Sequence, residues 1–398
     1  VSAPEPVAPP RPARDWAGVA RDILSGNVVL SIAAVVIAFL LGGVLIAVTD
    51  EGVQKAAGYF FARPGDTFQA IGQAVGGAYA AMFAGAVFNP RGGFPGGFAS
   101  IAETLTYATP LIAAGVGVAV SFRAGMFNIG GNGQIIAGAT FAAWVAVSWP
   151  LPTGIHLLVA VVAGILGGAL WGGIVGLLKA TTGAHEVIVT IMLNYIAALL
   201  LQYLLLGPLR GEGSLQPVSA PIPESASYPV LTGRLHLGVV LALLAVVFMW
   251  WLFSRSSLGF KIRAVGLNPA AARTAGIAVG RVYVATMLIS GGIVAIAGTH
   301  QVLGTGTDLR DGIEGSLGFD AITVALLGRS RPGGVLAAGL LFGALRAGAR
   351  QMQISTGITV DIVLVVQSLI VLFLAAPPLV RAIFRLPAPR PVVQGGAA

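Results

Sequence analysis

Apolar residues along this chain fall into long unbroken runs, not into the three-four or alternating patterns of water-facing helices and strands. A helix needs about 20 apolar residues to cross roughly 30 Å of hydrocarbon. Eight runs reach that length: Val28–Thr49, Thr104–Phe122, Phe127–Trp149, His156–Leu178, Val187–Leu206, Leu237–Ser254, Val282–Val302 and Ile362–Val380. They predict an all-α polytopic membrane protein with about 8 full transmembrane helices. The run after Arg123 stays uncharged to Ile155, too long for one straight crossing, and Gly130, Gly131 and Gly133 sit near its start. Such glycines predict a span that begins as irregular backbone, tolerated at membrane depth only where it lines a protein cavity.

Two regions depart from full spans. Ala70–Phe88 is apolar and rich in Gly and Ala. Counting it as a crossing would invert everything downstream, so it is expected to be a surface or re-entrant helix. Phe319–Gly348 is broken by Gly328-Arg329-Ser330-Arg331-Pro332-Gly333-Gly334. The piece before the break would reach only about 15 Å at 1.5 Å per residue. It is expected to be a half-helix that enters and returns, although two full spans would preserve the parity equally well.

Composition sharpens the class. Of 398 residues, 10% are charged and 56% hydrophobic, too few charges to cover the surface of an ordinary soluble domain. There is no cysteine, which excludes thiolate metal sites and cysteine nucleophiles. The net charge of +8 gathers between apolar runs and forms no stripe interleaved with aromatics, so nucleic acid is not an expected partner.

Charge also orients the chain. The linker after the sixth run holds Arg255, Lys261, Arg263, Arg273 and Arg281 without an acid, and the tail after the eighth holds Arg381, Arg385 and Arg390. Both are expected in the cytoplasm, which puts both termini there. The implied organisation is a disordered, Pro- and Ala-rich N-terminus over 1–27, a first helix with an outer-face segment over 28–103, a transmembrane unit over 104–380 and a basic cytoplasmic tail over 381–398. Val28–Thr49 is long enough to span and lacks a small-residue cleavage pattern, so a cleaved signal peptide is not expected.

The basic linker, 255–281, contains a complete instruction for a short helix. Asn268 is a favoured N-cap, Pro269 fits the first helical position, and Ala270, Ala271 and Ala272 propagate the turn. Arg273 complements the dipole at the far end, and Gly276 supplies a left-handed stop. A helix of two turns is unstable alone in water, so either the rest of the protein or the groove of a partner must hold it.

The segment Gly259-Phe260-Lys261-Ile262-Arg263-Ala264-Val265-Gly266-Leu267-Asn268-Pro269 through Gly276 resembles the cytoplasmic coupling segment of permease subunits of ATP-binding cassette importers. The relevant branch handles branched-chain amino acids, simple sugars and nucleosides. Two further stretches resemble its nucleoside permeases: Phe127-Asn128-Ile129-Gly130-Gly131-Asn132-Gly133-Gln134 and His185-Glu186-Val187 through Asn194-Tyr195-Ile196-Ala197. The position of Asn132 usually carries an acid in that branch. The resemblance covers roughly Ala102 to Pro377.

It implies half of an import pore in a bacterial cell membrane, most simply for nucleosides, with simple sugars as the alternative cargo. The implied partners are a separate ATPase, a second permease subunit (paralogue or copy) and an extracytoplasmic substrate-binding protein. ATP would be used by the ATPase, and no cofactor is expected in this chain. Gly259, Arg263, Gly266, Asn268, Pro269, Ala271, Ala272, Arg273 and Gly276 become the expected ATPase-coupling residues. The chain has no Gly-x-x-x-x-Gly-Lys-Ser/Thr loop, and none of its three lysines follows a glycine.

Neutral polyols call for hydrogen-bonding groups, so Asn128, Asn132, Gln134 and Asn194 are the expected solute-path residues, with Thr305, Thr307 and Ser316 as further candidates. The competing explanation is that amides within a membrane bond one helix to another. Asp308, Arg310, Asp311, Glu314 and Asp320 read either as docking charges for a binding protein or as a solvated loop. An intramembrane protease is disfavoured because no histidine follows His300 to serve Ser330, and no His-Glu-x-x-His occurs. An ion-coupled transporter would need ionisable groups within its spans, which the runs nearly lack.

Overall fold

The computed structural model describes residues 27–385, so the Pro- and Ala-rich start and the end of the basic tail lie outside the described residues. The described chain is helical almost throughout, as α1 (Asn27–Thr49), α2 (Glu51–Ala57), α3 (Pro64–Ala86), α4 (Ala99–Arg123), α5 (Gly131–Ser148), α6 (Ile155–Thr182) and α7 (Glu186–Leu206). A small hairpin, β1 (Val230–Thr232) and β2 (Leu235–His236), precedes α8 (Gly238–Arg255). The chain continues with α9 (Ser257–Leu267), α10 (Pro269–Thr274), α11 (Val279–His300), α12 (Leu317–Leu327), α13 (Pro332–Thr356), α14 (Val360–Ala375) and α15 (Pro377–Phe384).

Seven helices among the described residues are long and apolar enough to cross a membrane. Six coincide with expected runs; the seventh is α13. The other two expected runs are trimmed. Residues 127–130 are not helical, so α5 starts at Gly131, and Pro377 separates α14 from α15.

α4 is the hub. Its side chains are buried from Thr104 almost without interruption to Ser121, packed by α8, α11, α12 and α13. α6 and α11 pack most intimately. Gly164, Gly168, Gly172 and Gly176 line one edge of α6, where added Cβ atoms would strike Gly138, Thr299, Ala295, Gly291, Met287 or Val284. Lipid tails are as apolar as leucine, so close backbone approach and dispersion hold such helices together. The high glycine content follows from that requirement. α7 is peripheral: 22% of its apolar stretch is buried against 83% for α4.

One face of the bundle gathers the basic linker together with Arg123, Lys179 and Arg331. Arg123 Nε donates to the carbonyl of Ser330 at 2.9 Å, fixing the α12–α13 turn at the end of α4. Lys179 pairs with Glu186 and lies 5.4 Å from the centre of the Tyr283 ring. The start of α1 reaches the same face, where Ile32 shares a groove with Gly328 and Arg331. α3 joins two helix ends on the opposite face. Thr67 Oγ1 donates to the Ala56 carbonyl at 2.9 Å, and Thr104 Oγ1 donates to that of Ala86 at 2.6 Å. α3 therefore makes no net crossing, as a surface or re-entrant helix should.

The broken stretch differs from expectation in its second limb. α12 has 11 residues, about 16 Å, and begins beside α5, where the Gly318 N–H donates to Asn132 Oδ1 at 2.9 Å. α13, however, has 25 residues, about 37 Å, and runs the full depth of the bundle. Only the descending limb is a half-helix. Arg346 and Arg350, within this span, both find partners in the fold: Asp320 and the Tyr107 hydroxyl.

Candidate coupling site and solute path

The short helix forms as its sequence dictates. Asn268 Oδ1 accepts from the Ala270 and Ala271 N–H groups, each at 3.0 Å, capping α10. At the other end Gly276 takes a φ of +80°. There the Ile277 N–H reaches the Ala272 carbonyl at 3.0 Å, consuming an orphan acceptor. Ser256 caps the preceding helix α9 by accepting from Gly259 N–H at 2.9 Å.

α9 and α10 stand as one bracket. α9 buries Gly259, Ile262 and Val265, while Phe260, Lys261 and Arg263 face outward. Leu267 is 88% exposed, and Asn268, Pro269, Ala270, Ala271 and Arg273 continue the exposed edge. Ala272 differs from its neighbours: it is 4% exposed and belongs to the main core, so it seats the helix and is not part of the outward surface. Arg123, whose guanidinium lies 5.6 Å from the centre of the Phe253 ring, marks the seat.

Gly266 carries the joint to α4. A Cβ there would penetrate the Arg123 carbonyl, and one on Gly125 would lie 3.3 Å from the Gly266 carbonyl oxygen. The bracket is thus pressed backbone to backbone onto the end of α4 and the irregular segment after it.

That segment leads to the expected path residues. Asn128 is completely buried. Its Nδ2 donates to Ser290 Oγ at 3.0 Å and Gln134 Oε1 at 3.1 Å, and its Oδ1 accepts from Gly130 N–H at 2.9 Å. Ser290 Oγ passes the chain on to the Gly117 carbonyl at 2.8 Å. Asn194 works from α7: its Oδ1 accepts from Gly133 N–H at 2.8 Å, and its Nδ2 donates to the Ile129 carbonyl at 3.0 Å. Asn132 receives the start of α12. The structure brings all four amides together around the beginning of α5, where they satisfy backbone that forms no regular ladder. Asn128 and Gln134 are buried in this network, with no surface left for a solute.

Residues 100–375 match the family of branched-chain amino acid transport system permease components. The chain belongs to this permease family. Individual relatives agree. The permease is 41% identical over 291 residues to the guanosine ABC transporter permease protein of Bacillus subtilis, covering 71% of this chain and 82% of that one. It is 35% identical over 288 residues to the nucleoside ABC transporter permease protein of Lactococcus lactis, covering 69% and 79%. It is also 35% identical over 286 residues to the glucose ABC transporter permease protein of Haloferax volcanii, covering 69% and 75%. No solved structure matches the chain. As a permease component it is a transport subunit.

Two polar residues, Arg346 and Gln367, escaped sequence reasoning. Arg346 lies well inside α13 and pairs with Asp320 of α12, whose other oxygen accepts from Gln367 Nε2 of α14 at 3.0 Å. Asp320 is therefore neither a docking charge nor a solvated loop residue but an interhelical anchor. A charged residue every few positions in a Gly- and Ala-rich stretch was the available signal for Arg346. Nothing marked Gln367 as its neighbour.

Proposed function

We propose that the permease forms half of a nucleoside import pore in a bacterial cell membrane, moved by a separate ATPase that grips the exposed edge from Leu267 to Arg273. The basic face is the cytoplasmic one, which puts both ends of the described chain there. The observation that supports this reading best is the joint at Gly266. A push on α10 passes into α9, whose Gly266 lies backbone to backbone against Arg123 and Gly125 ahead of α5. A substrate-binding protein delivers cargo at the opposite face, and a second permease subunit completes the pore.

Nucleosides are favoured over sugars because the guanosine permease relative shares more of its sequence with this chain than the glucose permease relative does. The test is uptake by the reconstituted complex of labelled guanosine, cytidine and glucose in parallel. Nucleoside uptake that needs ATP is expected; glucose uptake alone would replace the cargo reading with the sugar one.

A further inference from the structure

Three features that take no part in coupling meet at one cleft on the face opposite the basic linker. α11 does not end cleanly at His300 but widens into a π-turn over Gln301–Thr305, where Thr305 Oγ1 donates to Gln301 Oε1 at 3.0 Å. Such turns concentrate at functional sites. Arg346 projects from a full-length span toward Asp320 and Ser316 Oγ, the latter accepting at 2.7 Å. An ionisable group at such depth is costly, and such groups mark solute pathways. Tyr107 rises from the central helix α4, with Arg234 of the hairpin tip 5.9 Å from its ring centre and its hydroxyl accepting from Arg350 at 3.2 Å.

Tyr107, Arg234, Gln301, Thr305, Thr307 and Arg346 all line a cleft of about 350 Å³. That volume sits at the small end of the roughly 300–1,000 Å³ range of small-molecule sites. Each charged residue that lines it is paired: Arg346 with Asp320, Arg310 with Asp308 at 2.9 Å, and Arg234 with Glu103 at 3.4 Å. Walls with many donors and acceptors but little uncompensated charge favour a neutral polar solute over a free ion. The Tyr107 ring adds a face suited to a planar heterocycle. Tyr107 and Arg234 also line a second cleft further out, with Ser100 and Thr232, so together they form the partition between the two.

We propose that this cleft is where the chain holds its solute in transit, a neutral hydroxyl-bearing molecule with a planar ring, and that Arg234 on the hairpin covers it from outside. The proposal rests on the nucleoside importer reading and adds the place and the contacts. It moves the solute path from the buried amides around Asn128 to the cleft on the far side of the Asn132–Gly318 contact. There, half-helix α12, which begins at Leu317 on the cleft wall, lets polar groups from the loop after α11 reach membrane depth.

The absence of native cysteine makes a direct test available. Thr307→Cys, at an exposed position on the cleft, is assembled with cysteine-free partner subunits in proteoliposomes and treated with a membrane-impermeant maleimide. Leu215→Cys, 98% exposed in an outer loop, serves as the control. Labelling at 307 is expected to lower guanosine uptake at least tenfold, and loaded binding protein with ATP should slow that labelling at least threefold. Labelling at 215 should do neither. A second variant, Gln301→Leu, is expected to change the order in which unlabelled nucleosides compete. Complete labelling at 307 with undiminished uptake, or an unchanged competition order, would overturn the assignment of the cleft. If the unlabelled complex takes up no nucleoside at all, the importer reading fails first, and that is visible before any reagent is added.

Discussion

Gly266→Ala places one methyl group where α9 lies flat against the end of α4. The new Cβ would overlap the Arg123 carbonyl oxygen and crowd the Ala124 backbone, neither of which is a flexible side-chain tip. Overpacking of this kind costs about 1–3 kcal/mol. The bracket can relieve it only by lifting away from α4. If the joint carries the coupling, the same energy is subtracted from the link between ATPase and pore, and about 1–3 kcal/mol corresponds to a loss of roughly 5- to 150-fold. The assay is nucleoside uptake per ATP hydrolysed in proteoliposomes, with subunit assembly measured by co-purification. We expect assembly and ATP hydrolysis to persist while the ratio falls within that range. Gly72→Ala, where an added Cβ meets nothing within 4 Å, should leave the ratio alone. An unchanged ratio for Gly266→Ala in an assembled complex would refute transmission through this joint.

Four further outcomes follow from the same contacts. Asn128→Leu strands the Gly130 N–H and the Ser290 and Gln134 side chains, so it should destabilise the purified permease by about 1–3 kcal/mol, read as a lower Tm in detergent. Ala272→Asp should impair assembly of the bracket because that side chain is buried, whereas Ala271→Asp, on the exposed edge, should spare folding and weaken ATPase association in a pull-down. Arg346→Met leaves the half-buried Asp320 with only Gln367 and Ser316 to pair it and should lower stability by about 1–3 kcal/mol, most of it recovered by adding Asp320→Asn, in a double-mutant cycle of thermal stability. Burial against the Tyr228 ring and beside His300 pushes the His236 imidazole down to about 4, below the roughly 6.5 of an unfolded chain. The folded state then binds fewer protons between those values, so stability should fall by about 3 kcal/mol as pH drops from 6.5 to 4, and His236→Phe should flatten that dependence.

The bracket was legible because its signals are local. Asn268, Pro269 and Gly276 specify a start and a stop within nine positions, and no distant residue is needed to read them. Spans such as α6 and α8 were legible for a similar reason, since hydrocarbon demands an unbroken apolar run. What sequence could not supply was pairing over distance. The break at 328–334 showed where one limb ends, but nothing local showed that α13 runs a full span or that its Arg346 pairs with Asp320 of α12, which in turn accepts from Gln367 of α14. The amides around Asn128 read as solute ligands because amide chemistry serves both purposes. Their choice was made by Ser290, 162 positions away, and by Asn194 on a third helix. The exposure of Leu267 against the burial of Ala272 likewise depends on the seat, not on the short helix itself.

The central claim is that this chain is moved from its basic face by a nucleotide-driven partner acting on Pro269–Thr274. The most direct measurement is guanosine accumulation in proteoliposomes holding the permease with its partner subunits, with and without ATP, and with imposed proton or sodium gradients. We expect accumulation with ATP, abolished by a rigid wedge such as Ala271→Trp on the outward edge of α10, and none with ion gradients alone. Accumulation driven by an ion gradient without nucleotide, insensitive to that wedge, would contradict it.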